Sequence, residues 1–187
     1  GQARVYPSGI FTADVLADSE LADQIDRILA VRVNNEIVSL TYRVSVNSRI
    51  EPITVLSPDG PEIYRRTLTF LFQMAASEVL PRQQIVIGLS VSHGYFHYRE
   101  DGRELSPEDC RHLDEAMRRI VAERRPILRE ALSYEDAIAT FAAENLPRTA
   151  LLLRYDNRSR IPVDRCGAFV APSHGPLMPH TGHVGAF

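Results

Sequence analysis

The sequence contains no lysine: all 21 of its basic residues are arginines. This absence excludes a lysine Schiff base within the chain, because that mechanism needs a primary amine. It also excludes a phosphate-binding P-loop, whose GxxxxGK[ST] signature requires a lysine. Cysteine is nearly as scarce, since Cys110 and Cys166 form neither a CxxC pair nor a disulfide framework. Two such thiols are typical of a reducing compartment, so we expect a cytoplasmic protein.

Long apolar stretches are also missing, and no run approaches the roughly 20 residues that a membrane-spanning helix needs. We therefore expect no membrane partner. The net charge of −3 argues against a protein whose whole surface binds nucleic acid. The chain does have 187 residues, of which 44% are hydrophobic. That is enough for one large domain or for two small domains with their own cores.

The first 58 residues predict a small α+β domain. Apolar residues follow a helical period across residues 13–29. Two β-rich runs then meet at Asn34–Asn35, which suits a tight hairpin turn because asparagine tolerates positive φ. Alternating apolar and polar residues over 43–56 predict further strand. The SPDG turn at residues 57–60 ends this unit.

The pattern changes after this turn and predicts a second α+β unit over residues 59–187. Apolar spacing over Pro61–Leu80 indicates a helix, and strands are expected at Ile85–Ile87 and Tyr95–Tyr98. The sequence LLLRY, residues 151–155, predicts a further short strand.

Two serines in this unit have the neighbours of helix N-caps. Ser106 is followed by Pro107 at the first helical position and by Asp109 three residues on. Ser133 and Asp136 repeat the same spacing. The hydroxyl of such a serine accepts a hydrogen bond from a free backbone amide of the first turn. We therefore predict that a helix begins after each serine.

Histidine is the main candidate for metal binding in this sequence. Three of the six histidines crowd the loop-rich segment 166–187 near Cys166: His174, His180 and His183. Two others, His93 and His97, share one face of a predicted strand. Three imidazoles could form a zinc site, but the spacings match no compact ligand signature and carboxylates are scarce in the loop. We therefore predict no metal ligand.

Two other patterns resemble reactive or binding groups. A nucleophile–base pair could arise at Ser92–His93 or Ser173–His174, but adjacent residues of an extended chain do not face each other. We interpret these as loop residues. Three arginines recur every seven residues and could contact phosphates: Arg111, Arg118 and Arg125. Acidic neighbours favour a solvated helix face instead.

Six segments together resemble the N-terminal half of threonyl-tRNA synthetases. They are AVRVNNEIVSL, EIYRRTLTFLF, VIGLSVSHGYFHY, ELSPEDCRHLDEAMRRIV, LSYEDAIATF and SHGPLMPHTG, in the family's order across residues 12–187. In that family a β-grasp TGS domain precedes an editing domain, called the second additional domain. The resemblance implies a TGS-like β-grasp domain at residues 1–58, with a shortened first hairpin. It implies an α+β editing-like domain at residues 59–187.

The editing family positions water with four side chains around the ester of a mischarged serine and tRNA. Two are histidines of an HxxxH motif on the first helix of the domain; a CxxxH motif supplies the others from the loop ending GPxxP. The resemblance places Arg66 and Phe70 at the helix positions, and Ser173 and Leu177 at the loop positions. Phenylalanine and leucine accept no proton, and arginine stays charged at neutral pH. We therefore expect no catalytic residue and a degenerate pocket.

Arg66 could still bind a ligand in that pocket. Its guanidinium offers a forked donor to a phosphate or carboxylate. The alternative is an ion pair with Glu62, four residues earlier on the helix. Further candidate pocket residues are His93, His174 and His180.

A TGS-like domain before a degenerate editing-like domain also resembles bacterial uridine kinase- or phosphoribulokinase-like proteins. In that group a P-loop nucleoside kinase domain follows the pair. We therefore predict a non-catalytic accessory region that binds a nucleotide, RNA or tRNA-like ligand, with a C-terminal kinase domain as its partner. ATP and Mg²⁺ are expected only in that kinase domain, and no cofactor in this chain.

Two alternatives to this function stay open. One is a tRNA-binding or seryl-tRNA-editing fragment of a threonyl-tRNA-synthetase-like protein. The other is a non-enzymatic platform for docking or for dimerisation, which would make the protein a homo-oligomer.

Overall fold

The structure is a computed structural model that describes residues 3–81, 83, 85–91, 94–143, 147–153, 155, 158–185 and 187. Helices and strands are interspersed along these residues, which confirms the predicted α+β class. Among the described helices, none is both long and apolar enough to cross a membrane.

The N-terminal part contains one short α-helix and five strands. They are β1 (Ile10–Phe11), α1 (Thr12–Ala17), β2 (Ile28–Val33), β3 (Glu36–Val38), β4 (Arg43–Val44) and β5 (Ile50–Thr54). Strand β2 is the centre of a three-stranded antiparallel sheet in the order β3–β2–β5, and β1 pairs with β4. Asn34 has a φ of 55°, so the tight turn predicted at Asn34–Asn35 is confirmed.

The helix predicted over residues 13–29 is wrong beyond Ala17, where α1 ends. Ser19 explains the break, because its hydroxyl donates to the Leu16 carbonyl at 2.6 Å and accepts from the Leu21 amide at 3.1 Å. Such local side-chain bonds compete with the helical backbone ladder. The chain continues as a 3-10 helix, Ala22–Arg27, and then enters β2.

The boundary between the two predicted domains stays a prediction, as does the β-grasp assignment. Leu29, Ala30 and Ile53 of the N-terminal sheet belong to the same buried cluster as the long helix that follows. The main core therefore includes residues from both sides of residue 58.

Helix α2 (Gly60–Val79) begins one residue before the predicted helix and ends one residue earlier. Pro61 lies in its first turn, where the missing amide proton costs nothing. One face of α2 is buried in the main core: Ile63, Thr67, Phe70, Leu71, Met74 and Ala75. The side of α2 that carries Glu62, Arg66 and Gln73 lines the cleft described below.

Strands β6 (Ile85–Val91) and β7 (Gly94–Arg99) form an antiparallel pair, and both are longer than predicted. Helix α3 (Pro107–Ala122) follows and packs on α2. Its predicted cap is confirmed, because the Asp109 amide donates to the Ser106 hydroxyl at 3.1 Å and the Ser106 amide donates back to the Asp109 carboxylate at 3.0 Å.

A three-stranded antiparallel sheet and two helices complete the chain. They are β8 (Leu128–Ser133), α4 (Tyr134–Ala143), α5 (Pro147–Leu153), β9 (Arg160–Cys166) and β10 (Phe169–Pro172), with β9 central in the sheet. Ser133 caps α4 as predicted, accepting from the Asp136 amide at 3.1 Å. The strand predicted at residues 151–155 is wrong, because Pro147 opens a helix and leucine favours helical backbone. Strand β10 lies in the segment predicted to be loop.

Candidate functional site

A cleft of about 320 Å³ lies between α2 and the C-terminal sheet. Helix α2 contributes side chains spaced along one helical face: Glu62, Arg66, Thr69, Phe70 and Gln73. The facing wall comes from β9, β10 and the loop that follows: Asp164, Ala171, Pro172, His174 and Leu177. Three of the four positions implied by the editing resemblance therefore line one cavity.

Arg66 connects α2 to the loop. Its Nη1 atom donates to the Pro176 carbonyl at 3.2 Å, and its Nη2 atom pairs with Glu62. The side chain of Arg66 is 23% exposed, so the guanidinium stays partly open to the cleft. Gly175 permits this approach: its φ is +138°, and a Cβ there would stand 2.7 Å from Arg66 Nη1. Arg66 therefore makes the predicted ion pair with Glu62 and also lines the cleft.

Phe70 and Leu177 give the cleft an apolar side. Each is 4% exposed, and the Phe70 ring meets Phe169 edge-on at 5.2 Å. The two residues pack in the main core, so two of the three positions at which the resemblance implies a histidine are apolar here. Neither side chain can accept a proton or orient water.

The loop is also tied to α2 by two hydroxyl groups that the sequence did not single out. The Met178 amide donates to the Thr67 hydroxyl at 3.0 Å, and that hydroxyl donates to the Ile63 carbonyl at 2.8 Å. The Gly185 amide donates to the Tyr64 hydroxyl at 2.9 Å. These bonds hold the wall of the cleft against the helix.

Asp164 brings a buried carboxyl group to the cleft. It is 3% exposed, and burial raises its pKa from 3.8 to about 6. A hydrogen bond with Ser173 and the charges of Arg129 and Arg66 act in the opposite direction. Asp164 pairs with Ala171 and Arg129 in the central strand of the sheet, so its position is fixed by the backbone ladder.

Sequence reasoning missed Asp164. The available signal was an acidic residue inside the short run RIPVDRC, which forms β9 and in which the adjacent Val163 and Asp164 are both buried. Burial favours the neutral form of such an acid and so raises its pKa. Perturbed pKa values of this kind are a feature of functional sites.

The remaining predicted pocket residues are spread over the structure. The Ser173 amide donates to the Pro162 carbonyl at 3.0 Å, and its hydroxyl is 3.4 Å from the Gly175 carbonyl. His174 is exposed at the rim of the cleft. His93 lies outside the described residues. His180 lies away from the cleft, beside His183.

Burial governs the pKa values of the last two histidines. Burial, and then the charge of Arg124, lowers the pKa of His180. Burial and then His180 lower the pKa of His183 to about 4. Cys166, which the sequence placed near these histidines, packs in the main core instead.

The three arginines that recur every seven residues each pair with a nearby carboxylate. The pairs are Arg111 with Glu115 at 3.4 Å, Arg118 with Asp114 at 2.8 Å, and Arg125 with Glu123. Arg111 and Arg118 therefore fit a solvated helix face, whereas Arg125 lies beyond the end of α3, so the single stripe of three predicted on one helix is wrong.

The chain was compared with known proteins, and no protein-family model matches it. Threonine–tRNA ligase of Streptococcus equi subsp. zooepidemicus (strain H70) is 29% identical over 189 residues, covering 100% of this chain and 29% of that protein. The corresponding ligase of Nitratidesulfovibrio vulgaris (strain DP4) is 27% identical over 188 residues, with the same shares. That of Streptococcus pyogenes serotype M5 (strain Manfredo) is 29% identical over 189 residues.

The similarity supports a region related to threonyl-tRNA synthetases. The chain spans 29% of the length of these curated relatives. Of the functional hypotheses above, the synthetase-like alternative is favoured over the kinase-associated one, for which these relatives give no support.

The cleft thus combines opposite charges with an apolar wall. Arg66 can bind an anionic group, and Asp164 in its ionised form can bind a cationic one. Neither Phe70 nor Leu177 can move a proton.

Proposed function

We propose that this region binds the aminoacylated 3′ end of tRNA, or an analogue of it, in the cleft without hydrolysing the ester. The observation that carries this proposal is the placement of Arg66 and the buried Asp164 along one cavity of about 320 Å³. An aminoacyl nucleotide presents both matching charges, an ammonium group and a phosphate.

The two charged groups suit opposite ends of such a ligand. Asp164 has an ionised form at neutral pH, because its pKa is about 6, and would accept from the α-ammonium group. A guanidinium carries five N–H donors, more than the two that Glu62 and Pro176 engage. Arg66 can therefore donate to a phosphate while keeping its contact with the loop.

The loss of hydrolysis follows from the side chains at the four positions of the editing resemblance. Arg66 is a permanent cation, and Phe70 and Leu177 have no titratable group. Ser173 carries a hydroxyl group, which is not a base at neutral pH. None of the four positions carries an imidazole such as the family supplies. Water in this cleft would have no histidine base at any of the four positions, and His174 lies exposed at the rim.

The domain arrangement extends the same proposal. Residues 1–58 form a TGS-like β-grasp domain and residues 59–187 an editing-like domain, as the resemblance implies. The kinase-associated hypothesis rests on the resemblance alone, and a GxxxxGK[ST] signature downstream of residue 187 in the gene would support it.

A second candidate function rests on Asp164. A carboxyl group with a pKa of about 6 is close to the value that suits a general base at neutral pH. Asp164 could then activate water in place of the absent histidines, and the region would release serine from seryl-tRNA. That activity would rise with pH around 6 and vanish in Asp164→Asn.

Binding can be measured with a tRNA acceptor-stem minihelix carrying a serine amide at its 3′ adenosine, by fluorescence anisotropy at fixed salt. Arg66→Ala should weaken binding by about 2 kcal/mol, roughly 30-fold, because a charge-assisted hydrogen bond is lost. Arg65→Ala is the matched control: Arg65 is the exposed neighbour of Arg66, and its replacement removes the same charge. Absence of binding by the unaltered protein, or equal losses in both variants, would overturn the proposal.

A further inference from the structure

A second cluster of polar side chains lies away from the cleft. The 3-10 helix Ala22–Arg27 there meets a C-terminal 3-10 turn, Thr181–His183. Ligand atoms of Asp26, His180 and His183 all lie within 4.8 Å of one another. The centroids of the two imidazole rings are 3.9 Å apart. Side chains distant in sequence therefore converge on one point.

The turn that carries both imidazoles is fixed to the end of α3. The buried Thr181 hydroxyl donates to the Ile120 carbonyl at 2.7 Å and accepts from the Arg125 amide at 3.0 Å. The Thr181 amide donates to the Arg125 carbonyl at 2.9 Å. The His183 amide donates to the His180 carbonyl at 3.2 Å. The backbone that carries the two histidines is thus fixed to the end of α3.

Three ring nitrogens of the pair are buried and have no hydrogen-bond partner among the described residues. They are Nδ1 of His180 and both Nδ1 and Nε2 of His183. An unsatisfied buried polar atom is costly and calls for an explanation such as a bound ion or water. Neutral imidazole nitrogen is also the commonest metal ligand in proteins, and zinc accepts it.

Arg124 occupies the edge of the cluster. Its Nη2 atom lies 3.2 Å from His180 Nε2 and 3.8 Å from an Asp26 carboxylate oxygen. If Arg124 donates to Nε2 of a neutral His180, the imidazole proton is on Nδ1. A protonated Nδ1 cannot bind a metal ion. Metal binding through either nitrogen of His180 therefore breaks the Arg124 bond. Arg124 competes with any cation for the same two groups.

We propose that Asp26, His180 and His183 form a binding site for a divalent first-row metal ion, with zinc as the favoured ion. Two imidazoles and one carboxylate are a ligand set that zinc uses. In a tetrahedral zinc site with ligand bonds of about 2.1 Å, the ligand atoms are about 3.4 Å apart. The three ligand atoms lie within 4.8 Å of one another, so binding would draw the exposed Asp26 carboxylate and the two imidazoles closer together by up to about 1.4 Å.

Such an ion would join two parts of the chain that are distant in sequence. Asp26 stands two residues before β2, and His180 follows the loop that walls the cleft. Three protein ligands leave a fourth position for water or another ligand.

The test is zinc titration of the chelator-treated protein in competition with a chromophoric chelator, with cobalt absorption as a second readout. The unaltered chain should bind one zinc ion and give the visible spectrum of tetrahedral cobalt. His183→Ala should weaken binding by at least about 100-fold, and Asp26→Asn by about 10-fold. Arg124→Gln should tighten it by about 10-fold, because the competing cation is gone. His112→Ala, a histidine on α3 outside the cluster, is the control and should change nothing.

Circular dichroism establishes that each variant is folded, and the exposed Asp26 makes Asp26→Asn the variant least able to disturb folding. Zinc binding that is as tight in His183→Ala and Asp26→Asn as in the unaltered chain would overturn the proposal. So would failure of the unaltered chain to bind zinc or cobalt, or weaker binding in Arg124→Gln.

Discussion

Replacing Asp164 with asparagine should stabilise the protein, an unusual result for a residue lining a cleft. The carboxyl group is 3% exposed, and burial raises its pKa. Asparagine has nearly the same shape and can keep a hydrogen bond with Ser173, but it carries no charge. The substitution therefore removes the cost of burying a carboxylate and leaves the packing of β9 intact.

The size of the effect follows from the two pKa values. The group titrates at about 6 in the folded protein and at 3.8 when unperturbed, as in the unfolded chain. Each pKa unit corresponds to about 1.4 kcal/mol. Between these values the folded state holds the proton and the unfolded state does not, so the native protein loses stability as pH rises. The penalty is about 1 kcal/mol at pH 4.5 and about 3 kcal/mol at pH 7.

Urea unfolding of Asp164→Asn and of the unaltered protein at pH 4.5 and pH 7 measures this difference. The variant should gain about 1 kcal/mol in unfolding free energy at the lower pH and about 3 kcal/mol at the higher. Asp114→Asn serves as the control: its carboxylate is exposed and pairs with Arg118, which holds its pKa below the usual range. That variant should gain nothing at pH 7.

A gain for Asp164→Asn that stays the same at both pH values would refute the reasoning, because it would show that ionisation of Asp164 does not differ between the folded and unfolded states. A loss of stability at pH 7 would refute it more strongly. In that case the neighbours of Asp164 would stabilise its carboxylate, and its pKa would not be raised by burial.

Two further substitutions test the scaffold. Gly175→Ala should destabilise the protein by about 2 kcal/mol in urea unfolding, because a φ of +138° strains a residue that has a Cβ and the added Cβ also displaces the end of the Arg66 side chain. Gly102→Ala, at φ +77° with open space around it, should cost about 1 kcal/mol, and equal costs would contradict the contact with Arg66. Ser106→Ala should lower the unfolding free energy by about 1 kcal/mol by removing the α3 cap, and a neutral result would contradict the capping role.

Local sequence patterns predicted local structure well. The Asn34–Asn35 turn and the cap at Ser106 depend only on side chains a few residues apart, and both are confirmed. The helix over residues 13–29 failed because Ser19 bonds locally to the backbone, and apolar periodicity does not register that competition. Periodicity also failed in the stretch of leucines after Pro147, where helix and buried strand give the same apolar run.

The candidate sites depended on contacts that no local pattern contains. Arg66, Phe70 and Leu177, three positions that the resemblance implied, line one cleft, and their role there stays a prediction. Asp164 was missed because its burial arises from pairing between β8, β9 and β10. Asp26 could not be linked to His183 from spacing, since more than 150 residues separate them.

The most direct test of the central claim is to mix the protein with seryl-tRNA and measure both retention of the tRNA and release of serine. The account predicts saturable retention that weakens in Arg66→Ala, with serine released no faster than in buffer. Serine release that scales with protein concentration would contradict it, and loss of that release in Asp164→Asn would assign the activity to the buried carboxyl group.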